Sequence, residues 1–371
     1  MNIKSLLLGS AAALVAVSGA RAADAVVVAE PEPAQYVKIC DVYGAGYFYI
    51  PGTEICLRIG GYIRYDVGVG DREGAQNVPD HLKTGKTNDT YYKQARFTLR
   101  TYTGQETEMG TLKTYTETRF NFGNSSGDYA DPDGAGPLVG GAGWQAGNKD
   151  VSLNFAWMQL GGLRVGKDES AFDTFIGYAG NVIDDTIVPY GSFDTNVIQY
   201  YFDAGNGFSA VVSLEEGAGA DTIDSYVPHV VGGVKYTQGW GAVTGVIAYD
   251  SNYEEVAGKV RLDVNATDEL SLFVIGGYGS DSNAAHNFYK LWDGEWAVWG
   301  GGTYKFNEKT SFNLQASYDE GKTLGVAANV AYDLVPGLTA TAEVDYYNKG
   351  ASVYHAKTDG VGGILRMQRS F

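Results

Sequence analysis

The sequence predicts an all-β chain, an antiparallel barrel of sixteen strands crossing a membrane. Three observations point there. Apolar and polar residues alternate with period two from Cys56 to the C-terminus. The segments so defined are even in number, and mostly alternate between short and long links. Aromatic residues collect near the segment ends.

Composition narrows the classes first. The 371 residues include 51 Gly and 27 Tyr but only 9 Pro, which reads as an aromatic-rich sheet and not a disordered Gly/Pro tract. The net charge of −17 argues against a nucleic-acid partner, whose binding needs a basic footprint. Two cysteines exclude a disulfide scaffold or a zinc ribbon. With 44% hydrophobic residues and a mean hydropathy of −0.18, a membrane helix would have to stand out as a distinct apolar run.

One long apolar run is present, at 6–17, after a charged start containing Lys4. It is too short for a spanning helix, and Ala20-Arg21-Ala22 fits the small-x-small cleavage rule. Residues 1–22 are therefore expected to be a signal peptide, cleaved after Ala22. Its removal takes Lys4 and Arg21 and no acid, so the net charge moves from −17 to −19. Export implies an oxidising compartment. Cys40 and Cys56 enclose 15 residues, a plausible disulfide loop worth roughly 3 kcal/mol; two free thiols are the alternative. Residues 23–55 read as an extended N-terminal segment, opening on the acidic linker around Glu30-Pro31-Glu32-Pro33. Residues 56–371 read as the barrel.

The alternation is explicit in each strand. From 56 to 68, Leu57, Ile59, Ile63, Tyr65 and Val67 share one parity, and Arg58, Tyr62, Arg64 and Asp66 the other. From 93 to 103, Ala95, Phe97 and Leu99 oppose Gln94, Arg96, Thr98 and Arg100. From 111 to 122, Leu112, Phe120 and Phe122 oppose Lys113, Glu117, Arg119 and Asn121. The same texture continues through 151–160, 162–168, 195–203, 207–216, 229–238, 240–251, 254–264, 268–279, 295–306, 308–318, 322–333, 337–347 and 359–371. All nine prolines fall outside these segments, as the loss of a ladder donor requires. Short links such as Gly161 and Gly239 alternate with long ones such as 69–92, 123–150 and 169–194; 252–253 and 319–321 depart from the pattern.

A soluble β-sandwich or propeller would alternate too. The even strand number with short turns at one end favours an outer-membrane barrel. Tyr200, Tyr201, Phe202, Trp240, Tyr249, Trp292, Trp296, Trp299, Tyr346 and Tyr347 stand where interfacial girdles are expected. The last strand closes on Phe371, with Val361, Leu365 and Met367 toward lipid and Arg369 snorkelling at the edge. Closure removes the unpaired edges that hydrocarbon would penalise by several kcal/mol per group.

At this point the chain resembles the alphaproteobacterial general porins, the group that includes the Brucella outer-membrane porins. The likeness runs through 37–63 (VKICDVYGAGYFYIPGTEICLRIGGYI), 160–172 (LGGLRVGKDESAF) and 362–371 (GGILRMQRSF). The resemblance implies sixteen-stranded homotrimers in the outer membrane of a Gram-negative bacterium, in contact with lipid and lipopolysaccharide. It implies passive diffusion of small hydrophilic solutes and ions. It also implies that the third long loop folds inward as a constriction, here Glu169–Asp194.

A selectivity filter needs a narrow waist and fixed charges. The expected acidic side comprises Asp168, Glu169, Asp173, Asp184, Asp185 and Asp194; the loop itself has no Lys or Arg. The expected basic wall comprises Arg58, Arg64, Arg96, Arg100, Arg119 and Arg164, since a lipid-facing arginine at the midplane would cost roughly 2–4 kcal/mol. Rows of opposite sign would set a transverse field across the waist. Glu117, on the face of Arg119, offers the plainer alternative of a wall ion pair.

Other classes fare worse. His81, His229, His286 and His355 form no hydrolase pattern, and no nucleophile elbow or HExxH motif is present. No cofactor and no metal site is expected. A substrate-specific channel, or an envelope anchor touching peptidoglycan through the 30–33 linker, are the remaining readings; single-channel recording separates them.

Overall fold

In the computed structural model, the residues described are 38–83, 85–124, 145–350 and 358–371. The expected cleavage site lies outside them. Sixteen long strands are present: β1 (Cys56–Val69), β2 (Tyr92–Thr107), β3 (Gly110–Asn124), β4 (Ser152–Leu160), β5 (Leu163–Glu169), β6 (Asp194–Asp203), β7 (Phe208–Glu215) and β8 (His229–Gln238). They continue as β9 (Gly241–Asp250), β10 (Glu255–Asn265), β11 (Leu270–Gly279), β12 (Trp296–Asn307), β13 (Thr310–Asp319), β14 (Thr323–Val335), β15 (Leu338–Lys349) and β16 (Thr358–Ser370). Every one overlaps an expected segment. No helix among the described residues is long and apolar enough to cross a membrane.

Each strand pairs antiparallel with the next, and β16 pairs back with β1, from Tyr62↔Ser370 to Val69↔Gly363. The barrel is closed. Phe371 and Gly61 extend the seam by exchanging backbone hydrogen bonds, each 3.1 Å. Gly61 sits at φ +150°, and a Cβ there would lie 2.0 Å from the Thr98 carbonyl oxygen, so the close approach of β1 to β2 requires glycine.

Burial is inverted relative to a soluble protein. On β1 the exposed residues are Ile59, Ile63, Tyr65 and Val69, whereas Tyr62 and Asp66 are buried. Gln94, Thr98 and Glu117 continue the buried polar face on β2 and β3. Arg369 is exposed and donates to the Pro336 carbonyl at the short-turn end. Pro79 closes a short strand, Ala75–Pro79, that pairs with Thr87–Thr90 inside the β1–β2 connection; at a strand end its missing N–H costs no ladder bond.

The aromatic girdle needs correcting at two positions. Trp240 and Trp296 are exposed as expected, but Trp292 and Trp299 are fully buried. They belong to a hydrophobic cluster with Val211, Val231, Val246, Ile275 and Ala297. Those residues occupy the parity opposite the exposed Val212, Val230, Ile247, Val274 and Val298, so β7–β12 are apolar on both faces. The cover is supplied by Phe172, Ile176, Val188 and Tyr190 of the β5–β6 connection and by Phe288 and Tyr289 of the β11–β12 connection. Strands that are apolar on both faces, one outward and one under a covering connection, lose their alternation for this reason.

Candidate functional site

The β5–β6 connection begins where β5 and β6 pair, Glu169 opposite Asp194. Ser170 caps the single turn α2 (Ala171–Thr174), its Oγ accepting the Phe172 N–H at 3.1 Å. The same hydroxyl donates to Glu215 Oε2 at 2.7 Å, and the Ala171 N–H donates to Glu215 Oε1 at 2.9 Å. Tyr289 donates to Glu215 from the β11–β12 connection at 3.1 Å. One buried carboxylate on β7 thus holds both connections.

Further attachments run across the polar faces of β10–β15. Lys259 donates to Asp173 at 2.5 Å and to the Tyr190 carbonyl at 2.9 Å. Arg261 donates to the Tyr178 carbonyl at 2.6 Å. Trp299 Nε1 donates to the Val188 carbonyl at 2.8 Å, Gln315 to the Asp185 carbonyl at 2.7 Å, and Asn329 to the Asn181 carbonyl at 3.1 Å. The N–H groups of Ile183 and Asp184 both donate to Glu343, at 2.6 and 2.8 Å. These bonds satisfy backbone groups that an irregular segment would otherwise leave orphaned.

The expected acids divide between strand and connection. Asp168, Glu169 and Asp194 stand in β5 and β6, correcting their grouping as loop residues. Their pairing with the ladder on both sides extends the strands to that point. Asp168 accepts from Arg164 at 2.8 Å and from Gln199 at 3.1 Å. Glu169 accepts from Tyr178, and Asp194 pairs with Lys167. Asp173, Asp184 and Asp185 lie in the connection. Burial pushes the Asp173 carboxyl up to about 7 against the pull of Lys259. Burial likewise pushes Asp185 up to about 6, although Tyr190 donates to it at 2.7 Å.

The expected arginines all lie on the face opposite the exposed apolar one. Arg58 stacks 4.0 Å from the Tyr102 ring, and Arg164 stacks 3.9 Å from the Trp157 ring. Arg64 donates to the Tyr62 hydroxyl at 2.7 Å, and Arg96 to Asn121 at 2.7 Å. Arg100 and Arg119 share Glu117, at 2.6 and 2.8 Å. Arg164–Asp168 is the expected acid and base pair that the structure joins directly. Arg64 and Arg96 meet Asp184 around a polar cavity of about 490 Å³, together with Arg72, Glu73 and Arg366.

Residues outside the expected set complete this cavity. Arg366 forks onto Asp66 at 2.7 and 3.0 Å. Its parity on β16, opposite Leu365 and Met367, carried the signal. Arg72, in the helical turn α1 (Gly70–Glu73), holds Asp184 through two of its guanidinium nitrogens, Nε and Nη2, the latter at 3.0 Å. Nothing in a connection's sequence marks such a contact. Burial, with Asp184 adjacent, pushes the Glu73 carboxyl up to about 7. The carboxylates of Glu73, Asp184 and Asp345 lie close enough together to hold a metal ion. Cys40 and Cys56 form a disulfide, with Cα atoms 6.0 Å apart.

Comparison with known proteins agrees with this architecture. Residues 24–363 match the family model described as the porin subfamily. Porin Omp2b of Brucella canis is 52% identical, and Porin Omp2b of Brucella abortus 51%, each over the full length of both chains. Among solved structures, the outer-membrane channel DcaP of Acinetobacter baumannii superposes with a TM-score of 0.62 at 18% identity, covering 87% of this chain and 99% of that one. Pseudomonas putida OprB gives 0.56 at 11% identity, covering 85% and 94%. A closed sixteen-stranded barrel, an inverted burial pattern and a family match across nearly the whole chain lead to one conclusion: the protein belongs to the porin subfamily, and is an outer-membrane channel for passive diffusion, not an enzyme.

Proposed function

We propose that the channel is narrowed by the β5–β6 connection, residues 170–193, standing across the lumen from a basic wall on β1–β3 and β16. Small hydrophilic solutes and ions pass through the remaining gap. Asp184 on one side and Arg64, Arg96 and Arg366 on the other set a field transverse to the pore. Hydrated dipolar solutes align in it, while apolar ones lose hydration without compensation. The observation that carries this reading is the shared cavity of about 490 Å³, in which an acid of the connection faces arginines of the wall. The hydrogen bonds between β10, β12, β13, β14 and β15 and the connection support the same placement.

The wider setting follows the family. The mature chain is expected to start after Ala22, to assemble as a homotrimer among lipid and lipopolysaccharide, and to permit peptidoglycan contact through the 30–33 linker. The test is reversal potential across a KCl gradient, with EDTA present, for the wild type, Asp184→Asn and Asp185→Asn. Removing an acid from the waist shifts selectivity toward anions. Unchanged selectivity in both variants would sink the waist assignment, while leaving the barrel and its conductance intact.

A further inference from the structure

We propose that Glu73, Asp184 and Asp345 form a binding site for a hard divalent cation, with Ca²⁺ the best fit, that ties the tip of the 170–193 connection to α1 and β15. Each residue offers a carboxylate oxygen, and the three lie within 4.8 Å of one another. Two ligands of one Ca²⁺ ion can stand no farther apart than twice its roughly 2.4 Å oxygen distance, so the spread matches a single coordination shell.

The second observation concerns Asp345 itself. It is 0% exposed, and neither carboxylate oxygen accepts from a donor N–H or O–H among the described residues; its near neighbour is a second carboxyl, Glu343. A buried carboxylate without donors is costly, and buried charges are as a rule paired or coordinate metals. Here the groups beside it are more carboxylates. Glu343 is not free to help, since its oxygens accept from Ile183, Asp184 and Asn329. Arg72 is the neighbouring cation, and it is committed to Asp184, with Glu73 at 3.4 Å. Four carboxylates thus crowd together, and among the described residues Arg72 is the guanidinium paired with them, Arg64, Arg96 and Arg366 lining the same cavity without an ion pair to them. Asp184 can still ligate, because a carboxylate offers about four lone-pair sites and Arg72 uses two.

Local structure is shaped to admit the cluster. Gly362 is the ladder partner of Asp345, and a Cβ at Gly362 would meet Glu73 Cγ at 2.8 Å. Glycine there lets the Glu73 side chain lie across β16 beside Asp345. The ligands come from three separate segments, which suits the adaptable shell of Ca²⁺ better than the strict octahedron of Mg²⁺. Glu73 and Asp184 are only half-buried, so water can fill the remaining positions.

The site is defined by binding and stands apart from the waist assignment. The test is calorimetric titration of Ca²⁺ into the purified full-length protein in detergent after EDTA treatment. One Ca²⁺ per chain is expected, with Kd in the range of extracellular modules, about 0.1–1 mM. Asp345→Asn and Glu73→Gln should each weaken it by about tenfold or more. The Asp281→Asn variant, which alters a carboxylate outside the cluster, should bind as the wild type does. Should Asp345→Asn fail to fold, judged by its heat-modifiable gel mobility, Glu73→Gln decides alone, being half-buried and without a ladder role. No binding up to about 10 mM, well above that range, or undiminished binding in the folded variants, overturns the proposal. Conductance of the same samples in NaCl with EDTA reads the pore separately, so the two readings fail independently.

Discussion

Lys259 and Asp173 form an ion pair sealed from solvent: Nζ donates to Oδ1 at 2.5 Å, with the two side chains 1% and 0% exposed. Lys259 is fixed by the β10 ladder and Asp173 by α2, so the pair joins the wall to the first turn of the connection. The ammonium also lies 4.0 Å from the Phe172 ring and donates to the Tyr190 carbonyl. It therefore bridges both ends of the connection.

Lys259→Met should leave Asp173 buried without its cation, a loss of about 3–5 kcal/mol if the carboxylate stays charged. The barrel ladder is untouched, so the cost falls on the attachment of 170–193. Limited proteolysis should cut this segment faster in Lys259→Met than in the wild type. Lys259→Met/Asp173→Asn should recover much of the protection, since replacing both partners removes the stranded charge. Equal cleavage in all three proteins would show that the pair does not hold the segment.

The same pair makes attachment pH-dependent. Burial raises the Asp173 carboxyl to about 7, whereas in a detached segment it titrates at roughly 3.9. Between those values the attached state binds more protons, so attachment weakens as pH rises through this window and is level above about 7. Hydrogen exchange at the amides of Thr174, Phe175 and Gly177, which close the turn, reads this directly. After correction for intrinsic rates, their protection should fall from about pH 5 to 7.5 in the wild type and stay flat in Asp173→Asn.

Glu117 is 1% exposed and accepts from Arg100, Arg119 and Tyr115. Glu117→Gln keeps the shape and removes the charge, leaving two wall guanidiniums without their counter-ion. Reversal potential should move toward anions, opposite to the effect of removing Arg100 or Arg119. Each charge-assisted bond lost is worth about 1.5–3 kcal/mol, which the ladder between β2 and β3 absorbs without unfolding.

Reducing Cys40–Cys56 should free the segment before β1 and spare the barrel. The bond closes a loop of sequence separation 16, worth roughly 3 kcal/mol to that segment. Tyr43 then loses its anchor near Gly104 and its hydrogen bond to Glu106, 3.0 Å in the oxidised form. Exchange at Cys40 and Gly44 should accelerate on reduction, with heat-modifiable mobility on gels unchanged. Loss of that mobility would place the disulfide in barrel assembly instead.

The strands were readable because a barrel wall obeys a local rule. Every second residue of β1 meets lipid, and Ile59, Ile63 and Tyr65 announce it without reference to any distant residue. Arg58, Arg64, Arg96, Arg100, Arg119 and Arg164 followed from the same parity. The rule failed on β7–β12, where Val211, Val231, Ala248 and Trp299 face inward against a covering connection. An apolar residue on the polar parity looks the same in sequence whether it is covered or bare.

By itself, then, the sequence determined the strand count, the face of the residues on strands with one apolar and one polar side, closure of the sheet and the disulfide as one of two alternatives. The tertiary structure alone decided which charges meet. Arg72 and Asp184 are 112 positions apart, and Asp184 and Glu343 are 159 apart. Period two says which side of the wall a side chain occupies, but not its height or its partner across the lumen. Those depend on strand register and on the path of the irregular connections, which the strand alternation does not encode.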